Sequence, residues 1–274
     1  MTKNQDTATE VATVDNTNHA LAVASDFEAD ASGGFEQMGH EDRALPFLRA
    51  LTSTSPEIGV VEGALPGHIY NTVTGELHKN GITVICCAYT RQYIEWAPRG
   101  QGSGAPVNVY PATSDILSRT HREPNDSRDY LDNGNYIENT ANHYVMALDG
   151  QGFATPALIT MKSTQLKRSR KWNSMMMSVK MQGKNGPFTP PMYSQLYRLT
   201  TTAESNDKGK WYSWEIERIG TIENMSLYAE ARDFAMQVKA GSVVVKHDAD
   251  EPVKKSSGAG FADEGFAAED EIPF

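Results

Sequence analysis

Cysteine is nearly missing from this chain. Two in 274 residues cannot staple a disulfide framework. Cys86 and Cys87 are adjacent in an apolar run of strand character, so their side chains point to opposite faces and suit neither a bridge nor a metal pair. The seven histidines are scattered, with no metal-ligand spacing among them. Neither a metal nor a cofactor is expected. No stretch reaches the roughly 20 apolar residues of a membrane span, and the N-terminus lacks the basic and apolar regions of a secretory signal. The expected setting is a reducing cytoplasm, away from membranes. A Gly-rich loop at residues 97–104 (APRGQGSG) carries Arg99, but it lacks the Gly-Lys-Ser/Thr ending of a nucleotide-binding P-loop.

The most informative shortage is of acid. The formal net charge is −10, yet no carboxylate side chain stands between Asp149 and Glu204. Lys162, Lys167, Arg168, Arg170, Lys171, Lys180, Lys184 and Arg198 all fall inside that window. Charge segregated in this way creates a local field that the net charge hides. Phe153, Trp172, Phe188, Tyr193 and Tyr197 are threaded through the same window. Cations that track a phosphate backbone, beside rings on which bases stack, are what single-stranded nucleic acid requires of a protein. Trp172 is expected in the core. Phe188 and Tyr197, with Trp211 and Tyr212 just beyond, are the candidate stacking rings. The eight cations are the candidate phosphate contacts.

Three segments follow from composition. Residues 1–40 are polar and acidic, and residues 242–274 are similar; neither can bury enough apolar surface to offset the entropy of ordering. The core is expected at residues 41–241. Within it, Ile82 to Trp96 (ITVICCAYTRQYIEW) is the strongest strand, preceded by a hairpin signal at Asn80-Gly81. His143 to Leu148 and Phe153 to Met161 read as two further strands, with Pro156 confined to an edge or a bulge. Ser163 to Met181 turns helical, capped by Ser163 or Thr164. Trp172, Met175, Met176 and Val179 share one face of it, and Lys167, Arg170 and Lys171 share another. A loop at 183–191 leads to a hairpin, Tyr193 to Thr202 with Lys210 to Ile219. Asn224 to Ala240 forms a last helix stopped by Gly241. Three strands, a helix and two strands give a mainly β fold with α (α+β class). The order fits an OB-like five-stranded barrel with its helix between the third and fourth strands. Residues 42–80 and the polar insertion at 123–134 have no place in that scheme.

The tail ends in acids alternating with apolar residues. Its last six residues, Glu269, Asp270, Glu271, Ile272, Pro273 and Phe274, resemble the C-terminal tip of bacterial single-stranded-DNA-binding proteins, which ends Asp-Asp-Asp-Ile-Pro-Phe. An OB-like core with a helix before its last two strands, followed by an acidic tail with a terminal aromatic, also resembles the phage-encoded members of that class. No match to the bacterial family is visible within 42–241, and a long acidic leader precedes the core where the bacterial proteins have none. The resemblance implies sequence-independent binding of single-stranded DNA in replication, recombination and repair, in a host cytoplasm. It implies a homo-oligomer that recruits a polymerase, primase, helicase or nuclease through the tip. There Phe274 would fill an apolar pocket while the acids meet a cationic rim. A tail of that charge would also lie over the cationic groove when DNA is absent. On this reading the protein is not an enzyme.

Three other functions compete. A strand-annealing or recombination mediator would share the groove and the tip. A metal-dependent nuclease would need carboxylates such as Asp126, Asp129, Asp132 and Glu138, which show no recognisable spacing. A virion structural protein would leave the tip unexplained.

Overall fold

The computed structural model describes residues 27–39, 42–98, 100–101, 104–124, 126–206, 209–243 and 245. The leader before residue 27, Arg99 and the tip at 269–274 therefore lie outside the described residues. The chain divides into two units, residues 1–43 and 44–274. In the first, residues 27–29 form a single helical turn, and Gly39 N donates to Asp42 Oδ2.

The second unit is mainly β and antiparallel, with two α-helices. Three short strands come first: β1 (Leu48–Ala50), β2 (Ile69–Asn71) and β3 (Leu77–His78), which form a small sheet of their own. The main sheet has seven strands: β4 (Ile82–Trp96), β5 (Asn108–Pro111), β6 (Asp129–Tyr130), β7 (Tyr136–Leu148), β8 (Ala154–Lys162), β11 (Gln195–Asn206) and β12 (Gly209–Thr221). Helix α1 (Leu166–Ser178) follows β8, and a hairpin, β9 (Met181–Gly183) with β10 (Gly186–Phe188), links it to β11. Helix α2 (Met225–Lys239) comes last; the Asn224 side chain accepts from the Ser226 and Leu227 amides and caps it.

β4 runs the full length expected of it, because β-branched and aromatic residues fit a pleated surface buried on both faces. A bulge between Cys86 and Ala88 resets its alternation. Val84 and Cys86 face inward; Ile85 and Cys87 face outward; Tyr89 returns inward. The two thiols therefore sit in different cores, and both are buried.

The five long strands lie side by side in the order β8, β7, β4, β11, β12. The helix falls between the third and the fourth of them in sequence, as expected. The barrel does not close: β8 and β12 form no ladder with each other, and two extra strands, β5 and β6, flank the far ends of β4 and β7. A closed five-stranded barrel is thus replaced by a curled, open seven-stranded sheet.

Two pieces occupy the open seam. A 3₁₀ turn (Ser163–Gln165) leads into α1, and its Gln165 seals the free edge of β12. Gln165 Nε2 donates to the Tyr212 carbonyl at 2.9 Å, and the Trp214 amide donates to Gln165 Oε1 at 3.2 Å. One side-chain amide thereby satisfies the two backbone groups that a neighbouring strand would have taken. On the other side, Phe47 makes a parallel bridge to Leu158 of β8, and Leu158 N donates to the Pro46 carbonyl. Residues 44–80, unplaced by the sequence, cover this gap. Leu48 and Ile69 enter the inner core beside Val145, Ile159, Trp172, Leu199, Trp214 and Ile216. Helix α2 covers the opposite face, with Phe234 against Ile85, Tyr144 and Met146.

Candidate nucleic-acid interface

Helix α1 is shorter than expected, and Gln165 stands at its N-cap without a side-chain capping bond. Ser163 cannot cap it, because its backbone is held at φ 50°, in the left-handed region. The amphipathic reading holds. Ser169, Trp172 and Met176 are buried, and Lys167, Arg170, Lys171, Ser174 and Met177 share the outer face.

The inner face of α1 meets a polar cluster. His143 of β7 is fully buried, and its ring stacks on Trp172 with centroids 4.5 Å apart. His143 Nε2 lies 2.9 Å from Ser169 Oγ, and Nδ1 lies 3.8 Å from Cys86 Sγ. Burial pulls the His143 pKa down to about 3, so the ring is neutral at physiological pH.

Distance in sequence misleads about charge. The window holds no acid, but β11 and β12 return acids to it in space. Arg168 donates to Glu215 at 2.8 Å and also to Glu204, and Lys171 donates to Glu215 at 3.1 Å. Hydrogen bonds from Ser213, Arg168 and Trp211 hold the Glu204 carboxyl below its ordinary pKa. Lys162 lies 3.3 Å from Glu138 of β7. Arg168, Lys171 and Lys162 are thus neutralised, and the candidate set of eight phosphate contacts shrinks.

Lys167 and Arg170 on α1 and Lys184 on the β9–β10 turn are exposed, and no acid among the described residues pairs with them. Lys180 donates to the Thr189 hydroxyl, and no acid among the described residues pairs with it. Arg198 stands apart from this group. It lies on β11, where it donates to the Asn80 carbonyl and pairs in register with Thr83.

The candidate rings divide just as sharply. Tyr197 is fully buried against Trp172, with ring centroids 5.6 Å apart, so it is core and offers no face to a base. Burial pushes its hydroxyl pKa up to about 12. Trp211 is half-buried and donates to Glu204 at 3.0 Å. Tyr212 is half-buried too, and its ring lies over Gly67 so closely that a Cβ there would fall 2.5 Å from it. Phe188, 46% exposed on β10 and four residues beyond Lys184 in sequence, is the candidate ring left open.

The four carboxylates considered for a nuclease have other partners. Asp126 accepts from Arg128 and Tyr130, and Asp129 from Arg122; Glu138 pairs with Lys162; Asp132 lies 3.9 Å from His121. Among the described residues no three His, Cys, Asp or Glu side chains group as a metal site, and no helix is long and apolar enough to cross a membrane.

A family model described as Pam3 phage gp34-like protein matches residues 14–244. The chain belongs to the Pam3 phage gp34-like family. The match takes in the whole curled sheet, both helices and the cationic window, and it ends at residue 244, near the start of the 242–274 segment. Searches of curated proteins and of solved structures returned no match.

Sequence reasoning missed one cation on the inner face of β4. Arg91 is exposed, its Nη2 donates to Tyr93 Oη at 2.6 Å, and its guanidinium lies 5.5 Å from the centroid of the Tyr93 ring. The alternation Tyr89-Arg91-Tyr93 was the available signal, since it puts a cation between two rings on one strand face.

Proposed function

We propose that this protein binds single-stranded DNA without sequence preference, as an accessory of replication or recombination, and recruits partner proteins through its acidic tail. The observation that carries the reading is the outer face of α1 with the β9–β10 hairpin. There Lys167 and Arg170 on the helix, and Lys180 and Lys184 with the exposed ring of Phe188 on the hairpin side, pair with no acid among the described residues. Four cations along a 13-residue helix and its adjoining hairpin suit a flexible phosphate chain. The last six residues, with Phe274 as an apolar anchor behind three acids, supply the partner-binding element. No bond is made or broken, so this is a binding protein and not an enzyme.

A gel shift with single-stranded and duplex oligonucleotides, with and without magnesium, tests the proposal. Retarded single strands, intact after incubation and indifferent to magnesium, are expected. Cleaved strands would transfer the protein to the nucleases. Faster pairing of complementary strands would make it an annealing protein. Failure to retard any strand would remove nucleic acid from the account.

A further inference from the structure

We propose a second nucleic-acid contact on the inner face of the β4–β7 ribbon, where Arg91, anchored on the buried Tyr93, offers a cationic platform for one nucleotide of a single strand. This deepens the reading above and rests on it. The ladder locates the platform. On one side, α1 covers the Tyr89–His143 row through the His143 contacts with Ser169 and Trp172. On the other side, Tyr93 and Ile137 are covered by Ile116 and Leu131, which form a separate small core. Between them lies the Arg91–Ala141 row, with Ala141 fully buried and Arg91 exposed above it. Tyr89 and Tyr93 stand about 13 Å apart along the strand, and between their covered rows the exposed Arg91 is the contact offered to a single strand crossing the ribbon.

The chemistry fits a nucleotide better than another anion. The Tyr93 hydroxyl holds the Arg91 guanidinium, whose central carbon lies 5.5 Å from the ring centroid, and among the described residues Arg91 pairs with no carboxylate. A fixed planar cation both stacks on a base and donates to a phosphate. Asn139 stands opposite Tyr93 in the ladder, and its Oδ1 is a buried acceptor without a hydrogen-bond partner in the described structure. Asn173 Oδ1 of α1 is in the same condition. Buried acceptors are satisfied in most proteins, and the amino or imino edge of a base supplies the missing donor after a small side-chain rotation. Arg170 and Asn173 share the flank of α1 that turns away from β12, since Arg168 on the other flank reaches Glu204 and Glu215. A strand leaving the outer face of α1 along that flank carries its cationic track on to Arg91.

Fluorescence anisotropy of a labelled thymidine oligomer, titrated against the full chain, tests this. Arg91→Ala should weaken binding about 10-fold and reduce the salt slope by about 0.7, the value of one phosphate contact on a single strand. Arg91→Lys should lose only part of that, because it keeps charge without the flat face. Both variants should melt with the wild type, as Arg91 is exposed, and Arg122→Ala, in the segment leading to β6, should bind normally, since Asp129 already holds Arg122. Photo-crosslinking of the bound strand should label residues 89–93. Wild-type binding that Arg91→Ala leaves unchanged in affinity and slope would overturn the platform and spare α1. Absence of wild-type binding would overturn both.

Discussion

Arg168 Nη1 donates to Glu215 Oε2 at 2.8 Å, joining the first turn of α1 to β12 across 47 residues of sequence. Its other terminal nitrogen reaches Glu204, so one guanidinium is bracketed by two carboxylates. This bracket fixes where α1 sits and divides the basic window into cations that hold the fold and cations that face solvent. Arg168→Ala removes both bonds at a side chain only 15% exposed, and it should cost roughly 1–3 kcal/mol in urea unfolding. Exchanging Glu204 and Glu215 together for Gln should release Arg168 and Lys171 instead. Single-strand affinity should then rise several-fold at low salt and converge with wild type at high salt, read by the same anisotropy titration.

The two candidate rings of the window should behave oppositely. Phe188→Ala should weaken single-strand binding by roughly 1–3 kcal/mol with an unchanged melting curve, as expected for an exposed stacking ring. Tyr197→Ala empties a fully buried site against Trp172, and should cost about 3–5 kcal/mol of stability by analogy with other large aromatic truncations. Calorimetry beside a DNA titration separates the two effects.

Acid should destabilise the protein through His143 before most carboxylates titrate. The folded-state pKa is about 3, against an ordinary value of about 6.5, so the unfolded chain binds the proton more readily. The contribution is whole above pH 6.5 and declines as the pH falls from there towards 3, by up to about 1.4 kcal/mol per unit. Urea midpoints measured at intervals from pH 7 to pH 5 should show this fall. His143→Gln, which does not titrate, should start lower and stay flat across the same interval.

Two backbone positions give predictions of opposite sign. Gly81 has φ 88°, and a Cβ there would stand 2.3 Å from the Leu199 carbonyl oxygen, so Gly81→Ala should lower the melting temperature sharply. Ser163, exposed at φ 50°, carries the left-handed penalty, and no side-chain hydrogen bond of its own is among those described. Ser163→Gly should raise stability by about 0.5–1 kcal/mol.

Local signals carried much of this fold. β4 matches its run of β-branched and aromatic residues end to end, and Asn224 and Gly241 bound α2 as cap and stop residues should. The helix between the third and fourth long strands was legible from periodicity alone. The open seam was not, because it depends on Gln165 and on residues 44–80, which show no period of their own. Charge was the least legible property of all. Glu204, Glu215 and Glu138 pair with Arg168, Lys171 and Lys162 across strands and layers, and no reading along the chain anticipates those pairs. Tyr197 was misassigned for a related reason: its inward direction follows from alternation with the buried Leu199, which its cationic neighbour Arg198 obscures.

The salt dependence of single-strand affinity, compared between wild type and the double variant Lys167→Glu with Arg170→Glu, tests the account most directly. About four phosphate contacts should give a wild-type slope of log K against log[salt] near −3. The double variant should lose most affinity and flatten the slope to roughly half that, with an unchanged circular dichroism spectrum and melting curve. A wild-type slope near zero, or a double variant that binds and titrates as the wild type does, would contradict the assignment of the α1 face to DNA.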